Sequence, residues 1–160
     1  MRIEKDPILD AWELAESEQT KRPTRKGVIK PCNRHRLLIV DDEDSIRRVT
    51  LLLLQKSLDE TVQFDMATNG REAINLFSLH HHKVIMMDLS MPELDGEEAA
   101  MQILDICEES QWESPAIIFR TGYAPPGNIR NLVSGDPAHC LLRKPVRNQT
   151  LVTAVRKRMA

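Results

Sequence analysis

No apolar run in the 160-residue chain approaches the ~20 residues that a membrane-spanning helix requires. The first ten residues, MRIEKDPILD, mix acids with bases and lack the apolar segment of a secretory signal. Together these absences lead to the expectation of a cytoplasmic protein with no membrane partner. Cysteine is scarce as well. Cys32, Cys107 and Cys140 are odd in number, far apart and without a CxxC pair, so neither a disulfide framework nor a cysteine-based zinc site is indicated. Internal repeats and low-complexity tracts are missing too. With 41% hydrophobic and 29% charged residues, the chain can build a proper core and does not read as disordered. One domain with something attached is the simplest reading.

The formal net charge of −2 hides an uneven distribution. Acids dominate from Met1 to Gln19. From Thr20 to Arg36 there are none, whereas Lys21, Arg22, Arg25, Lys26, Lys30, Arg34 and Arg36 are all basic. Such a shift marks a domain edge, placed near His35. Residues 1–35 are therefore expected to form an N-terminal extension, with a short helix over about 7–19 followed by a basic linker. That helix has Pro7 at its first turn and an apolar stripe of Ile8, Leu9, Trp12 and Ala15. It reads equally as a partner-binding helix, a helix docked on the main domain or a frayed appendage. The basic stretch lacks interleaved aromatics, and so reads as a solvated linker rather than a nucleic-acid surface.

Residues 36–160 alternate short apolar runs with helical periodicity. The spacing predicts strands at Arg36–Val40, Val62–Thr68, Lys83–Met87, Pro115–Phe119 and around His139–Leu142. Helices are predicted from about Asp44, after Asn69-Gly70, over Asp95–Glu109, around Gly127–Val133 and over Asn148–Met159. The first helix is expected to turn Ile46, Val49, Thr50, Leu53 and Leu54 inward. Strict alternation, with strands too apolar to face water on either side, predicts a doubly wound α/β fold with a five-stranded parallel sheet covered on both faces.

Ligands of such sheets bind beyond the carboxyl ends of the strands. Those ends carry Asp41 and Asp42, then Asp88, Thr121 and Lys144. Alone, an aspartate after a strand such as VIMM is most simply a solvated cap. Three carboxylates gathered at one edge repel one another, and a divalent ion relieves that repulsion. A hard, oxygen-only site with room for water suits Mg²⁺. With a hydroxyl and an ammonium beside it, an aspartate can act as a nucleophile toward phosphorus and form an acyl phosphate. The triplet His80-His81-His82, by contrast, is expected to be a solvated helix end rather than a metal site.

The segments LLIVDDED, VIMMDLSMPELDG, IIFRTGYAP and LLRKPV, in this order and spacing, resemble the four signatures of a response-regulator receiver domain from two-component signalling. The resemblance covers about Arg36 to Ala160, and it implies a flavodoxin-like fold with strand order 2-1-3-4-5. It implies Asp88 as phosphoacceptor, Asp42 as a direct Mg²⁺ ligand, Asp41 as a water-relayed one and the backbone carbonyl of Ser90 as another. Thr121 would be the switch hydroxyl, Lys144 the partner of the phosphoryl group, and Lys144-Pro145 a step that is often cis. Pro92 and Gly96 would shape the loop after the acceptor. The implied phosphodonor is a sensor histidine kinase or a histidine phosphotransfer protein. The output would be a downstream protein reading the face of the fourth helix, fifth strand and fifth helix, a face that also allows a homodimer.

One position departs from the pattern: Leu141 stands three residues before the lysine, where active receivers often carry Tyr or Phe. Tyr123, two residues after Thr121, is placed to hang over the site and affect attack by water. The expected product is a stand-alone phosphorylation-dependent switch with slow autodephosphorylation, not a multiple-turnover enzyme. A phosphorelay intermediate is the alternative. An aspartate-nucleophile phosphohydrolase of the haloacid-dehalogenase type would want a second aspartate where Ser90 stands.

Overall fold

The computed structural model describes residues 30–91 and 94–160. The N-terminal helix expected over 7–19, residues 20–29 of the basic linker and Pro92 lie outside the described residues. From Asn33 onward strands and helices alternate: β1 (Asn33–Val40), α1 (Asp44–Ser57), β2 (Gln63–Ala67), α2 (Gly70–His80), β3 (His82–Asp88), α3 (Gly96–Ser110), β4 (Ala116–Thr121), α4 (Gly127–Gly135), β5 (Cys140–Arg143) and α5 (Asn148–Met159). All four strand pairs are parallel, and the sheet order is β2-β1-β3-β4-β5. This is the flavodoxin-like order expected.

Period-two alternation divides the strand residues between two apolar layers. Leu38, Val40, Ile85, Met87, Ile117 and Phe119 pack with Ala73 and Phe77 of α2, Ala99, Ala100 and Ile103 of α3, and Ile129 of α4. Leu37, Ile39, Val84, Met86 and Ile118 pack on the other face with Leu54 of α1 and Leu151, Val152 and Val155 of α5. Each fully buried Val, Leu, Ile, Met or Phe side chain among these contributes about 1.5–3 kcal/mol. Helix starts are fixed locally. The Asn69 side chain accepts from the Glu72 N–H, and Asp95 accepts from the Glu98 N–H, each satisfying one orphan donor of a first turn.

Two expectations need correction. Ile46 and Val49 of α1 are exposed, Val49 at 62%, and the buried residues are Arg47, Thr50 and Leu54. The helix keeps its 3–4 spacing but is rotated, because burying Arg47 lets its guanidinium donate to the Asp41 carbonyl at 2.8 Å and to Asp44 at 2.7 Å. The histidine triplet is not a solvated helix end either. His81 is buried as the left-handed C-cap of α2, with its ring 4.2 Å from that of Trp112. His82 opens β3 and is wholly buried.

The His82 Nε2 lies 2.7 Å from Asp65 Oδ2, and Asp65 is also gripped by Arg36 through bonds of 2.9 and 3.1 Å. Arg36 already neutralises the carboxylate, and the buried Nδ1 of His82 has no hydrogen-bond partner among the described residues. A second proton would leave a buried donor unanswered, so Nε2–H donates to Asp65 and the ring stays neutral. Burial pushes its pKa down to about 4 against the pull of Asp65. The folded value thus lies below the unfolded one, near 6.5. The contribution to stability is complete above pH ~6.5 and is lost as pH falls toward about 4. Urea unfolding at pH 7.5 and 4.5 is expected to show a parent that loses about 2 kcal/mol more than His82→Gln over that interval. Parallel losses in the two proteins would contradict a buried neutral His82.

Candidate functional site

The carboxyl ends of β1, β3, β4 and β5 meet at one edge of the sheet, and the residues singled out from the sequence are there. Asp41 follows β1 and is 1% exposed, while its neighbour Asp42 is exposed. Asp88 ends β3 and is 2% exposed; Thr121 ends β4 and is also buried. The Lys144 N–H donates to the Thr121 carbonyl at 2.7 Å, which extends the β4–β5 pairing by one step and brings the lysine side chain across. Its Nζ donates to Asp88 Oδ1 at 3.1 Å. The same oxygen accepts the backbone N–H of Ser90, also at 3.1 Å. The Lys144-Pro145 bond is cis.

One oxygen from each of Asp41, Asp42 and Asp88 lies within 4.8 Å of the others. Mg²⁺ binds oxygens at ~2.1 Å, so trans ligands stand ~4.2 Å apart. The spacing therefore fits a small hard cation with a slight closing of the cluster or a water relay to one carboxylate. Burial pushes the Asp41 carboxyl above its ordinary value and the charge of Asp88 adds to this; the Glu43 N–H, Arg120 and Lys144 oppose it.

The Thr121 hydroxyl donates to the Tyr123 carbonyl at 3.0 Å and accepts the Tyr123 N–H at 3.1 Å. In this conformation it is turned to its own loop. The Tyr123 side chain is 73% exposed. Leu141 is half-buried on β5 and packs against the α2–α3–α4 layer.

Gly96, the first residue of α3, sits against the acceptor strand. A Cβ there would lie 2.1 Å from the Asp88 carbonyl oxygen, a distance no side chain tolerates. The resemblance implied that Gly96 shapes the loop after Asp88; it lies inside the helix expected over Asp95–Glu109, and its structural task is this close approach of helix to strand end.

Sequence reasoning missed Arg120. The fourth strand was predicted to stop at Phe119, whereas β4 continues to Thr121. Arg120 thereby becomes a buried strand residue on the same face as Ile118, and its Nη2 donates to Asp41 Oδ2 at 2.9 Å. The available signal was the alternation itself, carried two residues further.

A flavodoxin-like sheet with three carboxylates, a hydroxyl and an ammonium on its carboxyl edge has the architecture of a phosphoacceptor switch. Comparison with known proteins agrees. A family model described as the response regulator receiver domain matches residues 37–156. The regulatory protein AtoC of Escherichia coli is 38% identical over 90 residues, which are 56% of this chain and 18% of that protein. The chain spans well under half the length of the curated relatives it matches. The chemotaxis protein CheY4 of Vibrio cholerae superposes with a TM-score of 0.61 at 26% identity, covering 77% of this chain and 97% of that one. The receiver domain of Ssk1 from Saccharomyces cerevisiae, solved with the histidine phosphotransfer protein Ypd1, gives 0.65 at 27% identity, covering 83% and 91%. The chain belongs to the response-regulator receiver domain family. Its members are signalling phosphoacceptors of two-component systems, and they typically hold Mg²⁺ through acidic residues; the acidic cluster here fits that ion. Among the described residues, no helix is long and apolar enough to cross a membrane.

Gly96→Ala must push α3 away from the Asp88 backbone. Urea unfolding is expected to show a loss of about 1–3 kcal/mol, as for other overpacked sites. A variant as stable as the parent would mean that α3 can shift at no cost, contrary to the contact described.

Proposed function

We propose that Asp88 accepts a phosphoryl group from the phosphohistidine of a sensor histidine kinase or a histidine phosphotransfer protein. The observation that carries this reading is the seating of Asp88: buried, bonded to Lys144 and the Ser90 N–H, and within a cluster shared with Asp41 and Asp42. A carboxylate oxygen of Asp88 attacks phosphorus, the P–N bond breaks, and its electron pair returns to the imidazole ring of the donor. Lys144 passes from the carboxylate to the arriving phosphoryl oxygens, and the Ser90 N–H holds the nucleophile in line. Asp42, Asp88 and the Ser90 carbonyl would hold Mg²⁺ directly, with Asp41 acting through water. That ion would supply positive charge to the equatorial phosphoryl oxygens.

Thr121 is the switch. Its hydroxyl leaves the Tyr123 backbone for a phosphoryl oxygen, and the β4–α4 loop follows. The face of α4, β5 and α5 then changes shape for a downstream protein, in a cytoplasmic setting, or for a second copy of the chain. Half-buried Leu141 carries the relay through an aliphatic side chain. Water slowly removes the phosphoryl group, with exposed Tyr123 standing over the path of attack.

A phosphorelay role, passing the group on to a histidine phosphotransfer protein, is the second reading. A groove of about 270 Å³ between α1 and α5 favours it, because Ile46, Val49 and Leu53 line it together with Lys144 and Pro145. Such a groove beside Lys144 would suit an apolar helix of a partner, and the Ssk1 receiver was solved bound to a histidine phosphotransfer protein.

Incubation with acetyl phosphate and Mg²⁺ is expected to add the mass of one phosphoryl group, as read by intact-protein mass spectrometry. Asp88→Asn should abolish the gain, and chelation of Mg²⁺ should suppress it at least tenfold. A gain that survives Asp88→Asn would overturn the assignment of the acceptor.

A further inference from the structure

Arg120 stands at the carboxyl edge, and the phosphoacceptor reading makes no use of it. Strand alternation turns it toward the α1–α5 layer beside Thr50, where the residue is 5% exposed. Removing a guanidinium from water is expensive unless its donors are well answered. Arg120 answers few of its five. Nη2 makes a short bond to Asp41 Oδ2 at 2.9 Å, Nη1 is 3.5 Å from the Thr50 hydroxyl, and Nε has no hydrogen-bond partner among the described residues. Arg36 provides the contrast within the same protein, since it grips Asp65 with two bonds. The contact of Arg120 is single. It delivers charge to Asp41 rather than fixed geometry.

The formal charge of the edge makes the consequence plain. Asp41, Asp42 and Asp88 bring three negative charges, and Lys144 on Asp88 and Arg120 on Asp41 bring two positive ones. One negative charge remains, where Lys144 alone would have left two. We propose that Arg120 is a resident counter-cation of the acidic site, which holds Asp41 while no divalent ion is bound and weakens the affinity of the site for Mg²⁺. This rests on the reading of Asp41, Asp42 and Asp88 as the metal-holding cluster. Positive charge within the cluster opposes a second cation, and Asp41 Oδ2 is occupied until Arg120 yields it. The unfilled fork gives Arg120 little to lose on drawing back toward Thr50. Arg120 is in this sense a positioning residue for Asp41, and it sets the Mg²⁺ concentration at which the site loads.

Isothermal titration of the full chain with MgCl₂ tests this directly. Arg120→Met removes the charge and keeps an unbranched side chain; it is expected to bind Mg²⁺ about tenfold more tightly than the parent. Arg120→Lys keeps the charge and should stay within about twofold of the parent. In the parent, the Arg120 Nε–H resonance should move during the Mg²⁺ titration, a readout that remains decisive if the Met variant does not fold. Equal affinities in parent and Met variant, or a resonance unmoved at saturation, would overturn the role of Arg120 and leave the metal site standing. No heat and no shift in any of the three proteins at millimolar Mg²⁺ would overturn both.

Discussion

Parallel strands deliver their carboxyl ends to one edge of the sheet, and in this protein that edge gathers carboxylates that repel one another. Asp41, Asp42 and Asp88 each place an oxygen within 4.8 Å of the others, and two of the three residues are buried. Repulsion at that distance in a partly desolvated setting would pull the strand ends apart unless something answered it. The answers come from every neighbouring element. Lys144 arrives from the end of β5, Arg120 from β4, and the backbone N–H groups of Glu43 and Ser90 from the turns that leave β1 and β3. Even the apolar packing bends to this edge, for α1 is rotated so that Arg47 can reach the Asp41 carbonyl. The exposed stripe of Ile46 and Val49 follows from that rotation. Two aliphatic side chains are thereby left on the surface, lining a groove with Lys144.

The tolerance of the edge is correspondingly narrow. Asp88 is held from three sides: Lys144 and the Ser90 N–H on its carboxylate, the Leu89–Arg120 ladder bond just beyond it, and Gly96 against its carbonyl. In the role proposed for Asp88, a nucleophile held in this way would lose little entropy on meeting phosphorus. Thr121 is held differently, by two bonds to the backbone of a surface loop. Those bonds are cheap to exchange for bonds to an anion, because hydroxyl and loop N–H groups near water find replacements. The firmly held Asp88 and the loosely held Thr121 are thus separated by a single strand spacing. On the proposed reading, that arrangement would let a local change of charge alter one surface without unsettling the fold.

Most of the fold was legible in the sequence because its punctuation is local. Asn69 before α2 and Asp95 before α3 are caps that need only their own next turn, and the helices begin where they say. Asp41, Asp42, Asp88, Thr121 and Lys144 were legible for a related reason, since the end of a strand can be read from the strand. What could not be read depends on partners distant in the chain. Arg120 is 79 positions from Asp41, and His82 is 17 from Asp65. A polar residue at a buried register position looks like the end of an element until its partner is known. This is why β4 was cut short at Phe119 and why His81 and His82 were assigned to solvent. In α1 the inward places of Thr50, Leu53 and Leu54 held, and only Ile46 and Val49 failed, for a nearer reason: Arg47 took the inward face through a bond to the Asp41 carbonyl, just outside the helix.

The two edges of the sheet now differ in a way that composition could not reveal. At the amino edge Asp65 is neutralised by Arg36, and the buried His82 stays uncharged, so that cluster sums to zero and its carboxylate is fully engaged. At the carboxyl edge the sum is one negative charge, and Arg120 keeps unfilled donors. A neutral cluster whose carboxylate is already engaged gains little from an arriving cation, whereas an anionic one gains more. On the proposed reading, charge on the two edges would therefore favour a divalent cation beside Asp88 over one beside Asp65. On the role proposed for Arg120, the same imbalance would make the site adjustable: one side chain on β4 would set how strongly the edge asks for an ion through its bond to Asp41, while its backbone stands opposite Asp88 in the β3–β4 register.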